Sequence, residues 1–101
     1  MQDFIKANSN NKVNLHVHVG VLVQTIEKNF ASNKNVKFNN GISVLINKSE
    51  TNVSYEIDYS IAKDANPIFE TNNIMFQIEQ ITYSVLNIKP INIRLNYIGE
   101  F

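Results

Sequence analysis

The sequence predicts an α+β domain in which a mainly antiparallel sheet is covered on one side by two helices. Apolar residues recur at three- and four-residue steps in two segments, which is the pattern of one helix face. In the strand segments they alternate with polar residues, so each strand has one apolar and one polar face. A sheet of that kind needs cover on one side only. The predicted order along the chain is β-α-β-β-α-β.

The first part of the chain predicts a tail, a strand and a helix. Residues 1–12 are polar and rich in asparagine, and this composition predicts a flexible N-terminal tail ahead of a single domain over residues 13–101. Residues 13–19 alternate between apolar and polar and predict the first strand. Leu22, Ile26 and Phe30 then share one helical face, so a first helix is expected to end near Ala31.

The middle of the chain predicts a hairpin. Residues 36–38 and 42–46 have the composition of strands, with the turn signal Asn39-Asn40-Gly41 between them. Residues 53–61 alternate throughout and predict the longest strand.

The last part predicts a long helix and a closing strand. Asn66 and Pro67 suit a helix start, and Ile74, Ile78 and Ile81 form its apolar stripe. Asn87 suits the left-handed end of that helix, and residues 91–98 alternate as a strand that completes the sheet.

Composition argues against several classes of protein. The 101 residues include nine basic and nine acidic side chains, so no long-range positive field favours nucleic acid or an anionic membrane. There is no cysteine, which excludes disulfides, thiolate chemistry and cysteine-ligated metal. No run approaches the ~20 apolar residues of a membrane helix, so we expect no direct membrane insertion. The absence of cysteine fits a cytoplasmic location.

The two histidines raise two chemical alternatives. His16 and His18 are two residues apart in the sequence and could coordinate a metal from one strand face. Glu56 or Asp58 would have to complete the ligand set. The segment around them also resembles the active-site strand and first helix of the histidine-containing phosphocarrier (HPr) of the sugar phosphotransferase system. That resemblance implies phosphorylation of His16 or His18. The Arg and Pro that follow the histidine in that family are replaced here by Val17 and His18.

No other pattern predicts catalysis. Glu56 and Asp58 share a strand face, and we expect them to be ordinary solvated carboxylates instead of an acid/base pair. Tyr55, Tyr59 and Tyr97 fall in the apolar register and are expected in the core rather than as stacking platforms for RNA. We therefore expect no catalytic residue, no cofactor and no metal.

The polar side of the predicted sheet is the expected interaction face. It is either solvated or a docking surface, and its residues are Asn52, Ser54, Glu56, Asp58, Asn92, Arg94 and Asn96. Such a face, together with the edges of a small open sheet, offers a route to self-assembly.

The order of segments resembles the alkaline shock protein family of bacterial envelope-stress proteins. Leu22-Val23-Gln24-Thr25-Ile26 stands in place of its first helix motif, and Ile91-Asn92-Ile93-Arg94-Leu95 in place of its closing strand. Between them, Tyr59 and Asn66-Pro67-Ile68 occupy the positions before its long helix, although Ser60 replaces a glycine of that family.

This resemblance implies a non-enzymatic scaffold or interaction protein that takes part in the envelope stress response. The expected partners are proteins, including a membrane-anchor protein that would recruit the chain to the membrane, and further copies of the chain in a homo-oligomer. The phosphocarrier remains the alternative.

Overall fold

The computed structural model describes residues 4–7 and 15–101. These residues form two helices and five strands in the order β1 (Phe4–Lys6), β2 (His16–His18), α1 (Val19–Phe30), β3 (Val36–Ile46), β4 (Val53–Ile61), α2 (Pro67–Leu86) and β5 (Asn92–Glu100). The α+β class predicted from the sequence is confirmed, and so are both helices.

The main sheet has three strands in the order β3-β4-β5, with β4 in the centre. β3 pairs antiparallel with β4, and β5 pairs parallel with β4. The parallel pairing follows from α2, since a 20-residue helix is long enough to return the chain to the starting end of β4.

The core lies between this sheet and the two helices. All five inward residues of β4 are buried, and they pack with Leu22, Ile26 and Phe30 of α1 and Ile74, Ile78, Ile81 and Leu86 of α2. The Phe30 ring of α1 packs edge-on against the Phe38 ring of β3, with 5.2 Å between the centroids. Two threonines of α2 contact the same face of the sheet through the hydroxyls of two β4 tyrosines. Both helices therefore cover one face, as the alternating strands predict.

Two buried tyrosines join β4 to α2. The Tyr55 hydroxyl lies 2.8 Å from the Thr82 hydroxyl, and the Tyr59 hydroxyl lies 2.6 Å from that of Thr71. Thr82 also donates to the Ile78 carbonyl at 2.8 Å, so both hydroxyls of the Tyr55–Thr82 pair have a partner. Burial raises the pKa of Tyr55, and the Thr82 contact offsets part of that rise.

Local chemistry sets both ends of α2. The Asn66 side chain accepts a hydrogen bond from the Phe69 N–H at 3.0 Å, and Pro67 occupies the first turn. Asn87 ends the helix in the left-handed conformation, with φ of 57°. These three positions are as the sequence predicts.

The structure corrects the prediction for the N-terminal segment. Residues 1–12 were expected to be a flexible tail, but Phe4–Lys6 is a strand and Ile5 is fully buried. This strand pairs antiparallel with β2 in a separate two-stranded sheet, and the Lys6 N–H donates to the Glu50 carbonyl at 2.7 Å. The first strand predicted from residues 13–19 therefore pairs with β1 instead of joining the main sheet. Residues 1–3 and 8–14 lie outside the described residues.

A second correction concerns β3. The turn signal Asn39-Asn40-Gly41 does not separate two strands, because β3 runs continuously from Val36 to Ile46. The pairing register shifts between Phe38 and Ile42, and Gly41 takes a φ of 77°. Extra residues at one point of a strand are accommodated as a bulge, which glycine favours.

Candidate interaction surfaces

The two histidines lie on the small sheet, apart from the polar face of the main sheet. His16 and His18 are exposed on β2, where His16 pairs with Lys6 and His18 with Phe4. The Phe4 ring meets the His18 ring edge-on at 5.0 Å between centroids. Glu56 and Asp58 belong to the other sheet, so the structure does not place the predicted acidic ligands on the strand of the histidines.

His18 has a structural contact at the start of α1. Its Nδ1 accepts a hydrogen bond from the Gly20 N–H at 2.9 Å, which satisfies one of the unpaired donors at the helix N-terminus. A Cβ at Gly20 would lie 2.9 Å from this nitrogen, so glycine permits the close approach. The lone pair on Nδ1 is thus already used by the helix cap.

Among residues 4–7 and 15–101, no group of three His, Cys, Asp or Glu side chains is arranged to hold a metal ion. In the same part of the chain, no helix is long and apolar enough to cross a membrane.

The predicted polar face is assembled from matched positions on β4 and β5. The parallel register places Ser54 opposite Asn92, Glu56 opposite Arg94, and Asp58 opposite Asn96. These six residues lie on the side of the sheet away from the helices, because their neighbours in β4 point into the core. We call these six residues the polar sheet face.

A hydrogen-bond network joins Glu56, Asp58 and Asn96 of the polar sheet face. Asn96 Nδ2 donates to Asp58 Oδ1 at 2.9 Å and to Glu56 Oε2 at 3.2 Å, and Asn40 Nδ2 donates to Asp58 Oδ2 at 2.7 Å. Arg94 approaches Glu56 at 3.9 Å between charged atoms. Both side chains of that pair are well exposed, so the pair contributes little to stability.

The network makes stability depend on pH through Asp58. The hydrogen bonds from Asn40 and then Asn96 lower the pKa of Asp58 below its usual 3.8. A lowered folded-state pKa stabilises the fold above the unfolded pKa, and this contribution disappears as the pH falls through the lowered value. We expect the stability difference between wild type and Asp58→Asn to shrink below pH 3.8, as measured by urea unfolding at a series of pH values. A difference that stays constant down to about pH 2 would contradict the contribution from Asp58.

Asn52, which was also predicted on this face, makes its contacts at the start of β4. Its Nδ2 donates to the Lys89 carbonyl at 3.0 Å, and its Oδ1 accepts from the Val53 N–H at 2.7 Å. It therefore connects the start of β4 to the loop before β5. This role is not visible in the sequence, where Asn52 has the same alternation as Ser54.

The outer edge of β5 is open in the described part of the chain. β5 pairs with β4 on one side, and no other strand of residues 4–7 and 15–101 pairs with its second side. Tyr97, Ile98 and Phe101 are 48%, 53% and 50% exposed along this segment. Tyr97 was expected in the core, and it is only partly covered by the Tyr59 ring, 5.7 Å away between centroids.

A third exposed surface, on α2, was not predicted from the sequence. Phe69, Phe76 and Tyr83 recur at seven-residue steps and are 64%, 56% and 60% exposed. Residues seven apart lie on the same side of a helix, and Asn73 and Gln80 lie between them on that side. We call these five residues the α2 aromatic stripe. The seven-residue spacing of the aromatics was the available signal, but the isoleucines of the same helix form the stronger pattern.

Comparison of the chain with protein-family models, with curated proteins and with solved structures gives no match. The resemblance to alkaline shock proteins therefore stays a prediction that rests on the residues quoted for it.

Proposed function

We propose that this protein is a non-enzymatic scaffold that binds an extended segment of a partner protein along the outer edge of β5. The observation that carries the proposal is the open edge of this nine-residue strand, bordered by exposed apolar side chains. An unpaired strand edge presents a row of N–H and C=O groups that another chain can pair with.

The chemistry of β5 favours pairing over protection. Natural edge strands are commonly blunted by lysine, proline, shortness or a β-bulge. β5 has no lysine and no proline over its nine residues, and its register shift lies near its end, between Tyr97 and Gly99. Arg94 is its only basic residue, and Glu56 of the neighbouring strand lies beside it. A partner strand would gain main-chain hydrogen bonds along this edge and apolar contacts with Tyr97, Ile98 and Phe101.

The scaffold role agrees with what the alkaline shock resemblance implies, namely a cytoplasmic protein of the envelope stress response recruited by a membrane-anchor protein. The β5 edge is the surface on which such an anchor would pair. The phosphocarrier alternative stays a prediction without a favouring observation, since the Nδ1 of His18 already accepts the Gly20 N–H.

The test compares two lysine substitutions of exposed apolar residues on the two outer strands. Ile98→Lys places a charge on β5, where the native residue is 53% exposed, and Leu45→Lys places the same charge on β3, where the native residue is 64% exposed. We expect a partner captured from a native lysate by the wild type to be captured equally by Leu45→Lys and roughly tenfold less by Ile98→Lys.

Equal capture by all three forms would contradict pairing at the β5 edge. The captured partner should also slow hydrogen exchange of β5 amides, since pairing covers their outward N–H groups. A partner that protects another surface and leaves β5 unchanged would equally overturn the proposal.

A further inference from the structure

The bulge of β3 contains Asn40, which is the only asparagine of the sequence that is followed by glycine. Pairing with β4 runs up to Phe38 and resumes at Ile42, so residues 39–41 lie opposite the single residue Asp58. Extra residues in a bulge are left out of the ladder between the paired strands. The backbone of this short segment is therefore less constrained by β4 than the rest of β3.

The surroundings of Asn40 and Gly41 are open to solvent. Both residues are exposed, and a Cβ added at Gly41 would meet no atom of the described residues within 4 Å. Because glycine has no Cβ, its backbone nitrogen can approach the side-chain Cγ of the preceding residue more closely than that of any other residue. The site therefore combines a side-chain amide, a neighbouring backbone nitrogen and access for water.

The two asparagines of the bulge use their side-chain amides in opposite ways. Asn40 donates from Nδ2 to Asp58 Oδ2 at 2.7 Å, whereas Asn39 accepts at Oδ1 from Ser60 Oγ at 3.1 Å. Replacing the amide nitrogen by oxygen would remove the donor of Asn40 but keep the acceptor of Asn39. Only at Asn40 would the product set one carboxylate directly against another.

We propose that Asn40 is a site of spontaneous deamidation, which converts its hydrogen bond with Asp58 into a contact between two carboxylates. The Gly41 nitrogen loses its proton to solvent and attacks Asn40 Cγ, while Nδ2 takes up a proton and leaves as ammonia. Water, the only co-reactant, then opens the cyclic imide. Addition at Cγ gives aspartate, and addition at the main-chain carbonyl carbon gives isoaspartate, in which the chain runs through Cγ. Either product carries a carboxylate in place of the neutral amide.

The modification changes the charge balance beside the polar sheet face. Asn96 already joins the carboxylates of Glu56 and Asp58, and Arg94 approaches Glu56 at 3.9 Å. A further carboxylate next to Asp58 replaces a hydrogen bond by like-charge repulsion, which loosens the bulge between β3 and β4. The site lies on β3 and the proposed partner edge on β5, so this inference does not depend on the proposed function.

Incubation of the folded protein at neutral pH and physiological temperature, followed over time by peptide mapping with mass spectrometry, tests the site. Asn39 is the internal control, because it lies in the same bulge but is followed by a residue that has a side chain. We expect Asn40 to deamidate roughly tenfold faster than Asn39. Equal rates at the two positions, or an Asn40 that stays intact while Asn39 converts, would overturn the proposal.

Asn40→Gln supplies a variant that keeps the amide donor and slows the reaction. Its longer side chain would have to close a larger ring, so we expect the acidic form that the wild type accumulates in isoelectric focusing to be largely lost. An acidic form that appears in Asn40→Gln as fast as in the wild type would place the modification at another residue and overturn the assignment.

Two aspartate substitutions test the consequence for the fold. Asn40→Asp reproduces one product, and Asn39→Asp adds the same charge to the same bulge while keeping the acceptor for Ser60. In urea unfolding at neutral pH we expect Asn40→Asp to reduce the folding equilibrium constant roughly tenfold, the usual effect of losing a hydrogen bond to a charged group. Asn39→Asp should stay close to the wild type. Equal stability of the two variants would contradict the proposed loss of the contact with Asp58.

Discussion

Truncating Ile78 to alanine is expected to lower the free energy of unfolding by about 3 kcal/mol. Ile78 is fully buried at the centre of α2, and its carbonyl accepts the Thr82 hydroxyl that holds Tyr55. The substitution removes buried methyl groups and leaves a cavity that the flanking helix and sheet can fill only in part. A domain of this size has roughly 5–15 kcal/mol of stability in total, so the loss would be a large fraction.

The same substitution elsewhere on the helix supplies the control. Ile68 also lies on α2 but is 74% exposed, and Ile68→Ala should change the free energy of unfolding by less than about 0.5 kcal/mol. Urea unfolding followed by circular dichroism, at concentrations that keep the protein monomeric, measures both. Equal effects of the two substitutions would mean that α2 does not face the sheet through Ile74 and Ile78.

Truncating Ile5 to alanine is expected to cost about the same, roughly 2–4 kcal/mol. Ile5 is fully buried although it belongs to a strand of three residues, and it joins the core cluster with Leu22 and Ile26. The Lys6 N–H bonded to the Glu50 carbonyl fixes this strand against the turn between β3 and β4.

Ile91→Ala is the matched control for this strand, since Ile91 is 57% exposed beside β5. A neutral effect of Ile5→Ala in the same urea titration would show that the first residues are the flexible tail that their composition suggests. Such a result would also mean that β1 does not pack into the core.

The sequence predicts the long amphipathic elements well, because a hydrophobic period sustained over many residues indicates both the type of element and its buried face. Ile74, Ile78 and Ile81 are all buried, and the alternation of β4 places Glu56 and Asp58 on the polar side. The helix ends at Asn66 and Asn87 are also correct, since capping depends on local side-chain chemistry.

The remaining features depend on contacts that are distant in sequence. Phe4-Ile5-Lys6 is too short to show a period, and its burial comes from pairing with β2. Alternation has the same form in parallel and antiparallel strands, so it could not give the direction of β5. Asn52 alternates like Ser54, and only the position of the Lys89 carbonyl separates their roles.

The open edge of β5 is tested most directly by amide hydrogen exchange of the isolated protein at low concentration. β5 should show alternating protection, because only every second residue directs its N–H toward β4, as Ile91 does to the Val53 carbonyl at 2.9 Å just before the strand. We therefore expect slow and fast amides in alternation along residues 92–97, before the pairing register with β4 shifts at Ile98. Uniformly slow exchange would mean that the edge is already covered, and uniformly fast exchange would mean that β5 is not part of the sheet.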